Sequence, residues 1–279
     1  MIQIEFDDEI KYRLFRSVKE ILHPTISKKN VSNYKIIVEE DILPIRIFYP
    51  KKVTGISKIM IMIHGNALVT DSVEEYSNIC KELSIKTNSL VIAIEYKEEK
   101  NAYEKTVEKV FHTVEYLMER LEKNNIKGED ILLVGDSTGC HIISYINEKK
   151  KDFSISKEIL FYPTFSLDYW NPSYESMRAN ENFNIDLLRT LREYFEFVLG
   201  EEKDNPKWFP LKKNINPPKT LILVGKVDSL LDEAKEYQEK YPKEVQVVEI
   251  PFAHHGFLKN MEKEVEEEVL KELDSFMEL

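Results

Sequence analysis

Short unbroken apolar runs alternate along this chain with longer stretches in which apolar residues recur every three or four positions. The runs at 58–63, 90–94, 131–134, 159–162, 221–224 and 245–250 read as buried strands. Two earlier runs, 34–38 and 43–49, are joined by a short acidic link and predict a hairpin. Helical spacing is clearest over 103–123, where Val107, Val110, Phe111, Val114, Leu117, Met118 and Leu121 form one stripe. A helix over 8–22 has Ile10, Leu14, Phe15, Val18, Ile21 and Leu22 on one face and ends at Pro24. Residues 71–74 read as a capping box, after which Val73, Tyr76, Ile79, Cys80 and Leu83 repeat at helical spacing. Further helices are expected after Gly139, from an N-cap at Asn184 to a stop at Gly200, near Leu230, and over 260–278.

Strands alternating with helices predict an α/β fold: a mostly parallel sheet covered on both faces, with the hairpin adding antiparallel edge strands. Residues 165–219 break the alternation and hold Tyr169, Trp170, Tyr174 and Met177 in a polar, proline-containing stretch. We read 1–279 as a single domain, with 1–30 and 165–219 as a small helical cap over the C-terminal edge of the sheet. In open α/β sheets that edge is where ligands bind. Tyr169, Trp170 and Met177 are expected to pack the cap rather than to line a pocket.

Composition narrows the function classes. The formal net charge of −11 argues against nucleic acid and anionic membrane as partners, since both select basic patches. No apolar run is long enough to span a bilayer. The opening MIQIEFDDEIKYR is acidic and lacks the apolar segment of a secretory signal, so a cytoplasmic location is expected. Two cysteines, Cys80 and Cys140, make neither a disulfide framework nor a metal cluster.

The chemistry gathers at three strand ends. Gly135-Asp136-Ser137-Thr138-Gly139 is a G-x-S-x-G pattern between a strand and a helix, the setting of a nucleophile elbow. Asp228 follows the 221–224 strand, and His255 follows the 245–250 strand. A serine hydroxyl is a weak nucleophile and needs a base. Histidine can take and return a proton near neutrality, and a carboxylate fixes its tautomer. Asp232 is a rival for the acid and His254 for the base; Asp228 also suits a helix cap. His64-Gly65-Asn66-Ala67, after the 58–63 strand, is a small-residue loop able to present backbone N–H groups to an oxyanion. His23 and His112 lie on expected helices and read as structural or surface residues. His141 should point away from the serine, and Cys140 reads as a buried filler.

Together these pieces resemble the hormone-sensitive-lipase-like family of α/β-hydrolases, the fold-3 group of small carboxylesterases. Gly135 to Gly139 is similar to its G-D-S-A-G elbow, and His64-Gly65-Asn66-Ala67 to its H-G-G-G loop. Pro217-Pro218, Asp228, Leu230 and Asp232-Glu233 resemble its P-P…D-x-L-x-D-E segment, and His255-Gly256-Phe257 its H-G-F. Trp208-Phe209-Pro210-Leu211 echoes its S-P-L stretch. Two loop glycines are replaced, by Asn66 and Ala67, and Glu95-Tyr96-Lys97-Glu98-Glu99-Lys100 stands where the family has D-Y-R-L-A-P-E. The resemblance implies an α/β-hydrolase fold with Ser137 as nucleophile, Asp228 as acid and His255 as base. It implies oxyanion donors at the backbone N–H of Asn66, Ala67 and Thr138, and cap segments over acyl and alcohol pockets. The expected activity is hydrolysis of small, short-acyl carboxylic esters, with no metal or cofactor, by a monomer or homodimer. The rivals are an amidase or peptidase on the same residues and a non-catalytic binding protein on the same scaffold.

Overall fold

The computed structural model describes residues 33–36, 42–50, 58–65, 73–123, 126–150, 153–166, 172–173 and 186–278. The expected 8–22 helix, residues 71 and 72 of the capping box, Asn184, Tyr169, Trp170, Tyr174 and Met177 lie outside them, as do Asn66 and Ala67.

Among the described residues eight strands form one sheet: β1 (Asn33–Ile36), β2 (Ile45–Phe48), β3 (Ile59–Ile63), β4 (Leu90–Ile94), β5 (Ile131–Asp136), β6 (Lys157–Phe161), β7 (Lys219–Gly225) and β8 (Val245–Ile250). Their order is β1-β2-β4-β3-β5-β6-β7-β8. β1 pairs antiparallel with β2, and β2 with β4; every later pair is parallel. The helices are α1 (Val73–Lys86), α2 (Tyr103–Lys123), α3 (Thr138–Lys149), α4 (Asp186–Leu199), α5 (Leu231–Lys240) and α6 (Lys263–Glu278).

The central strands read as continuous apolar runs because both of their faces are covered. Successive side chains go to opposite faces. Thus Ile59, Ile61 and Ile63 pack with α2, α3 and α5, while Met60 and Met62 pack with α1 and α6. On α2 the buried stripe is Val107, Val110, Val114, Leu117, Met118 and Leu121, with Phe111 half-buried at its margin. The 165–219 stretch contributes α4, which ends where Gly200 takes φ +57°.

Three strands, β5, β6 and β7, run longer than their apolar cores. β6 begins at Lys157 because Glu158 is buried with partners: its carboxylate accepts from Asn147 Nδ2 and Thr220 Oγ1, each at 2.8 Å. β5 continues through Gly135 to Asp136 for a similar reason, given below. The chain leaves β3 in one direction along the sheet and returns to β5 in the other, so the strand order reverses at β3 and β5. The C-terminal ends at that reversal carry His64-Gly65 and Ser137. No helix among the described residues is long and apolar enough to cross a membrane.

Candidate active site

β5 delivers Ser137 into a backbone conformation that L-residues seldom adopt, φ +48° and ψ −119°, and α3 starts at the next residue. Such strain persists only where surrounding bonds hold it. Here the Ser137 amide donates to the Phe161 carbonyl at 3.0 Å, and the Ser137 carbonyl accepts from Cys140 N at 3.1 Å and Thr164 N at 3.4 Å. Gly139 is required by close approach: a Cβ there would lie 2.1 Å from the Ile63 carbonyl oxygen. The elbow helix therefore seats directly against the end of β3.

Ser137 Oγ lies 3.0 Å from His255 Nε2, and His255 Nδ1 lies 3.0 Å from Asp228 Oδ2. Asp228 is fully buried and the His255 side chain is 11% exposed. An ionised carboxylate only accepts, so the Asp228 contact places the imidazole proton on Nδ1 and leaves the Nε2 lone pair facing the serine hydroxyl. Asp228 also does what a helix-leading aspartate does: its Oδ1 accepts from Leu230 N at 2.9 Å. Close approach is needed here too. A Cβ on Gly225 would lie 2.1 Å from the Ala253 carbonyl oxygen, so only glycine lets the turn after β8 fold back over the end of β7.

The two rivals lie elsewhere. Asp232 accepts from Ser173 N at 2.6 Å, and His254 is exposed. His141 is buried among Tyr103, Phe195 and Phe209, where desolvation pushes its pKa down to about 3. His112 is on the outer side of α2 beside Glu115. Cys140 is buried, and burial holds its thiol well above the usual range. His23 lies outside the described residues.

Asp136 is the residue that motif reading passed over. It is buried, and its Oδ1 accepts from Gly65 N at 2.9 Å while Oδ2 accepts from Tyr76 and Tyr162 hydroxyls at 3.2 and 3.4 Å. Burial pushes its pKa up to about 6, against the Gly65 N–H, the Tyr76 hydroxyl and the positive charge of Lys259. Tyr96 adds a second hold on the same segment, its hydroxyl donating to the His64 carbonyl while its ring stacks on His64 at 4.4 Å. Behind the site, Glu233 accepts from Phe165 N at 2.7 Å, Ser166 N at 2.9 Å and Ser166 Oγ at 3.1 Å. Burial pushes Glu233 up to about 8, and the charge of Asp228 adds to the rise. The available signal was a carboxylate inside an apolar run: a charge there must be buried, and a buried charge needs donors. Among the described residues no group of three or more His, Cys, Asp or Glu side chains is placed to hold a metal ion.

The model of the alpha/beta hydrolase fold family matches residues 60–259, which contain all of these strand ends. The chain belongs to this family. Within it, the chain is 25% identical over 192 residues to an esterase of Acinetobacter venetianus, covering 66% of this chain and 61% of that protein. It is 24% identical over 232 residues to an arylesterase of Saccharolobus solfataricus, covering 80% of this chain and 75% of that one. The chain thus spans about three fifths of the Acinetobacter protein's length. Among solved structures, the Francisella virulence factor BioJ superposes with a TM-score of 0.75 at 21% identity, over 97% of this chain and 89% of that one.

Proposed function

We propose that this α/β-hydrolase is a serine hydrolase of small, short-acyl carboxylic esters. The observation that carries the reading is the unbroken line of hydrogen bonds from Ser137 through His255 to Asp228. His255 Nε2 takes the hydroxyl proton as Ser137 Oγ bonds to the ester carbonyl carbon. The carbonyl electrons move to oxygen, and backbone N–H groups stabilise that charge. Thr138, the first residue of α3, supplies one donor at a helix N-terminus, where negative charge is favoured. On the loop side we assign Asn66 and Ala67, the donors that the family resemblance implies; the Gly65 amide donates to Asp136. As the tetrahedral centre collapses, the C–O bond breaks and His255 returns its proton to the departing alcohol. Water then attacks the acyl-enzyme, giving its proton to His255, which returns it to Ser137 as the carboxylic acid leaves. Asp228 orients the imidazole and stabilises its cation without itself being protonated. Two relatives' names, esterase and arylesterase, point to esters, and a third, the mouse arylacetamide deacetylase-like 3, points to amides.

Hydrolysis of p-nitrophenyl acetate tests the reading. The Ser137→Ala and His255→Ala variants should each lose about 10⁴-fold or more in kcat, and the double variant little beyond that, because the two groups act as a unit. Full turnover by either single variant overturns the assignment.

A further inference from the structure

Beside His64 lies a cavity of about 240 Å³, between the end of β4, strand β2 and helix α4. Its walls include five aromatic side chains, Phe48, Tyr76, Tyr96, Tyr194 and Phe197. Arg46, Glu95 and Glu98 in it are matched to partners, while the fourth charged residue of the lining, Lys97, is exposed to solvent. The Arg46 guanidinium meets Glu95 at 2.6 Å and Ser77 Oγ at 2.9 Å, and Glu98 accepts from the Tyr194 hydroxyl. A cation brought there would be desolvated with Glu95 and Glu98 already engaged, and an anion would meet only the solvated Lys97, a pairing worth little. An uncharged ring suits it, since aromatic walls offer both face and edge contacts.

Exposure points the same way. Among the described residues only two large apolar side chains are exposed, Phe252 at 78% and Phe197 at 45%. Phe197 is the one that lines this cavity. An exposed apolar side chain at a concave, mostly apolar pocket with a few polar groups is the anatomy of a small-molecule site. The volume fits one ring: an apolar cavity of about 150 Å³ takes benzene, and this one leaves room for one or two substituents.

We propose that this cavity binds an uncharged monocyclic aromatic group. Two sources share that chemistry, a free phenol and the ring of an aryl ester; only the second rests on the ester-hydrolase reading. Either would lie against His64, whose neighbour Gly65 is tied to Asp136 beside the serine. A bound ring therefore sits next to the segment that leads into the oxyanion loop.

Titration calorimetry with p-cresol on the full chain tests the proposal. Saturable one-site binding is expected, at least tenfold weaker in Phe197→Ala and unchanged in Phe252→Ala. The Ser137→Ala variant should bind p-cresol as the unaltered chain does, so the result stands whether or not the ester-hydrolase reading does. In the active protein, competitive inhibition of p-tolyl acetate hydrolysis would assign the ring to substrate, and noncompetitive inhibition to a free phenol. Absence of saturable binding by the folded protein, or equal binding by Phe197→Ala, overturns the pocket.

Discussion

A carboxylate at position 136 is costly to bury, and its three donors show what it is for. It joins the residue before the serine to the end of β3 through Gly65, and to α1 and β6 through Tyr76 and Tyr162. Asp136→Asn keeps the size but replaces one acceptor oxygen by a donor. We expect a stability loss of about 1–3 kcal/mol in urea unfolding, the scale of one unsatisfied buried polar group. If the oxyanion donors follow Gly65, turnover should fall by about 10²-fold, as when such a donor is removed. Unchanged stability and turnover would show that the Gly65 tie is dispensable. The pH dependence of stability also belongs to single residues. Asp136 is raised from 3.8 to about 6 and Glu233 from 4.5 to about 8 by burial. The folded chain therefore holds these protons at pH values where the unfolded chain has released them. Stability is fully present below about pH 4 as far as these two groups decide it, and it is lost as pH rises through their folded values. Between pH 7 and 8, above the range in which Asp136 and the unfolded-state proton of His141 titrate, the slope belongs mainly to Glu233, so Glu233→Gln should flatten the urea midpoint across that window while the unaltered chain declines. Parallel slopes would contradict this.

At the scale of elements, the apolar runs predicted the strand centres, and partnered polar residues set several strand ends. Val134 ended the legible part of β5, yet the ladder runs on to Asp136 because the carboxylate finds donors across the sheet edge. Glu158 extends β6 backward in the same way. Periodicity carries no information about partners 11 or 62 residues away, such as Asn147 and Thr220 for Glu158. Glycine at the elbow shows packing overriding propensity. In an ordinary helix Gly→Ala stabilises by about 1 kcal/mol. At Gly139 the added Cβ would meet the Ile63 carbonyl at 2.1 Å, so the sign should reverse. Gly139→Ala is expected to lose several kcal/mol, measured by thermal or urea unfolding, because the obstruction is backbone and cannot swing aside. A more stable variant would mean the helix does not seat against β3 as described.

Over the whole molecule, four strand ends carry the polar groups discussed above: His64-Gly65 after β3, Ser137 after β5, Asp228 after β7 and His255 after β8. Their order in the chain was legible because each is a short motif at the end of an apolar run. Their meeting was legible only through the family resemblance, since periodicity shows neither a strand order that reverses at β3 and β5 nor the turn that Gly225 lets fold over β7. The supporting tyrosines were also hidden: Tyr76, Tyr96 and Tyr162 look like core aromatics in sequence, and only the fold aims their hydroxyls at Asp136 and His64. Burial holds the Tyr96 and Tyr162 phenols well above their usual range, so both remain donors. The central claim is that Ser137 is an activated nucleophile. The most direct measurement is time-dependent labelling by a small fluorophosphonate, with the adduct located by peptide mass spectrometry and ester hydrolysis followed in parallel. The account predicts a single adduct on Ser137, activity lost in step with its formation, and labelling abolished in His255→Ala. Folded protein that hydrolyses the ester while Ser137 stays unmodified would contradict it.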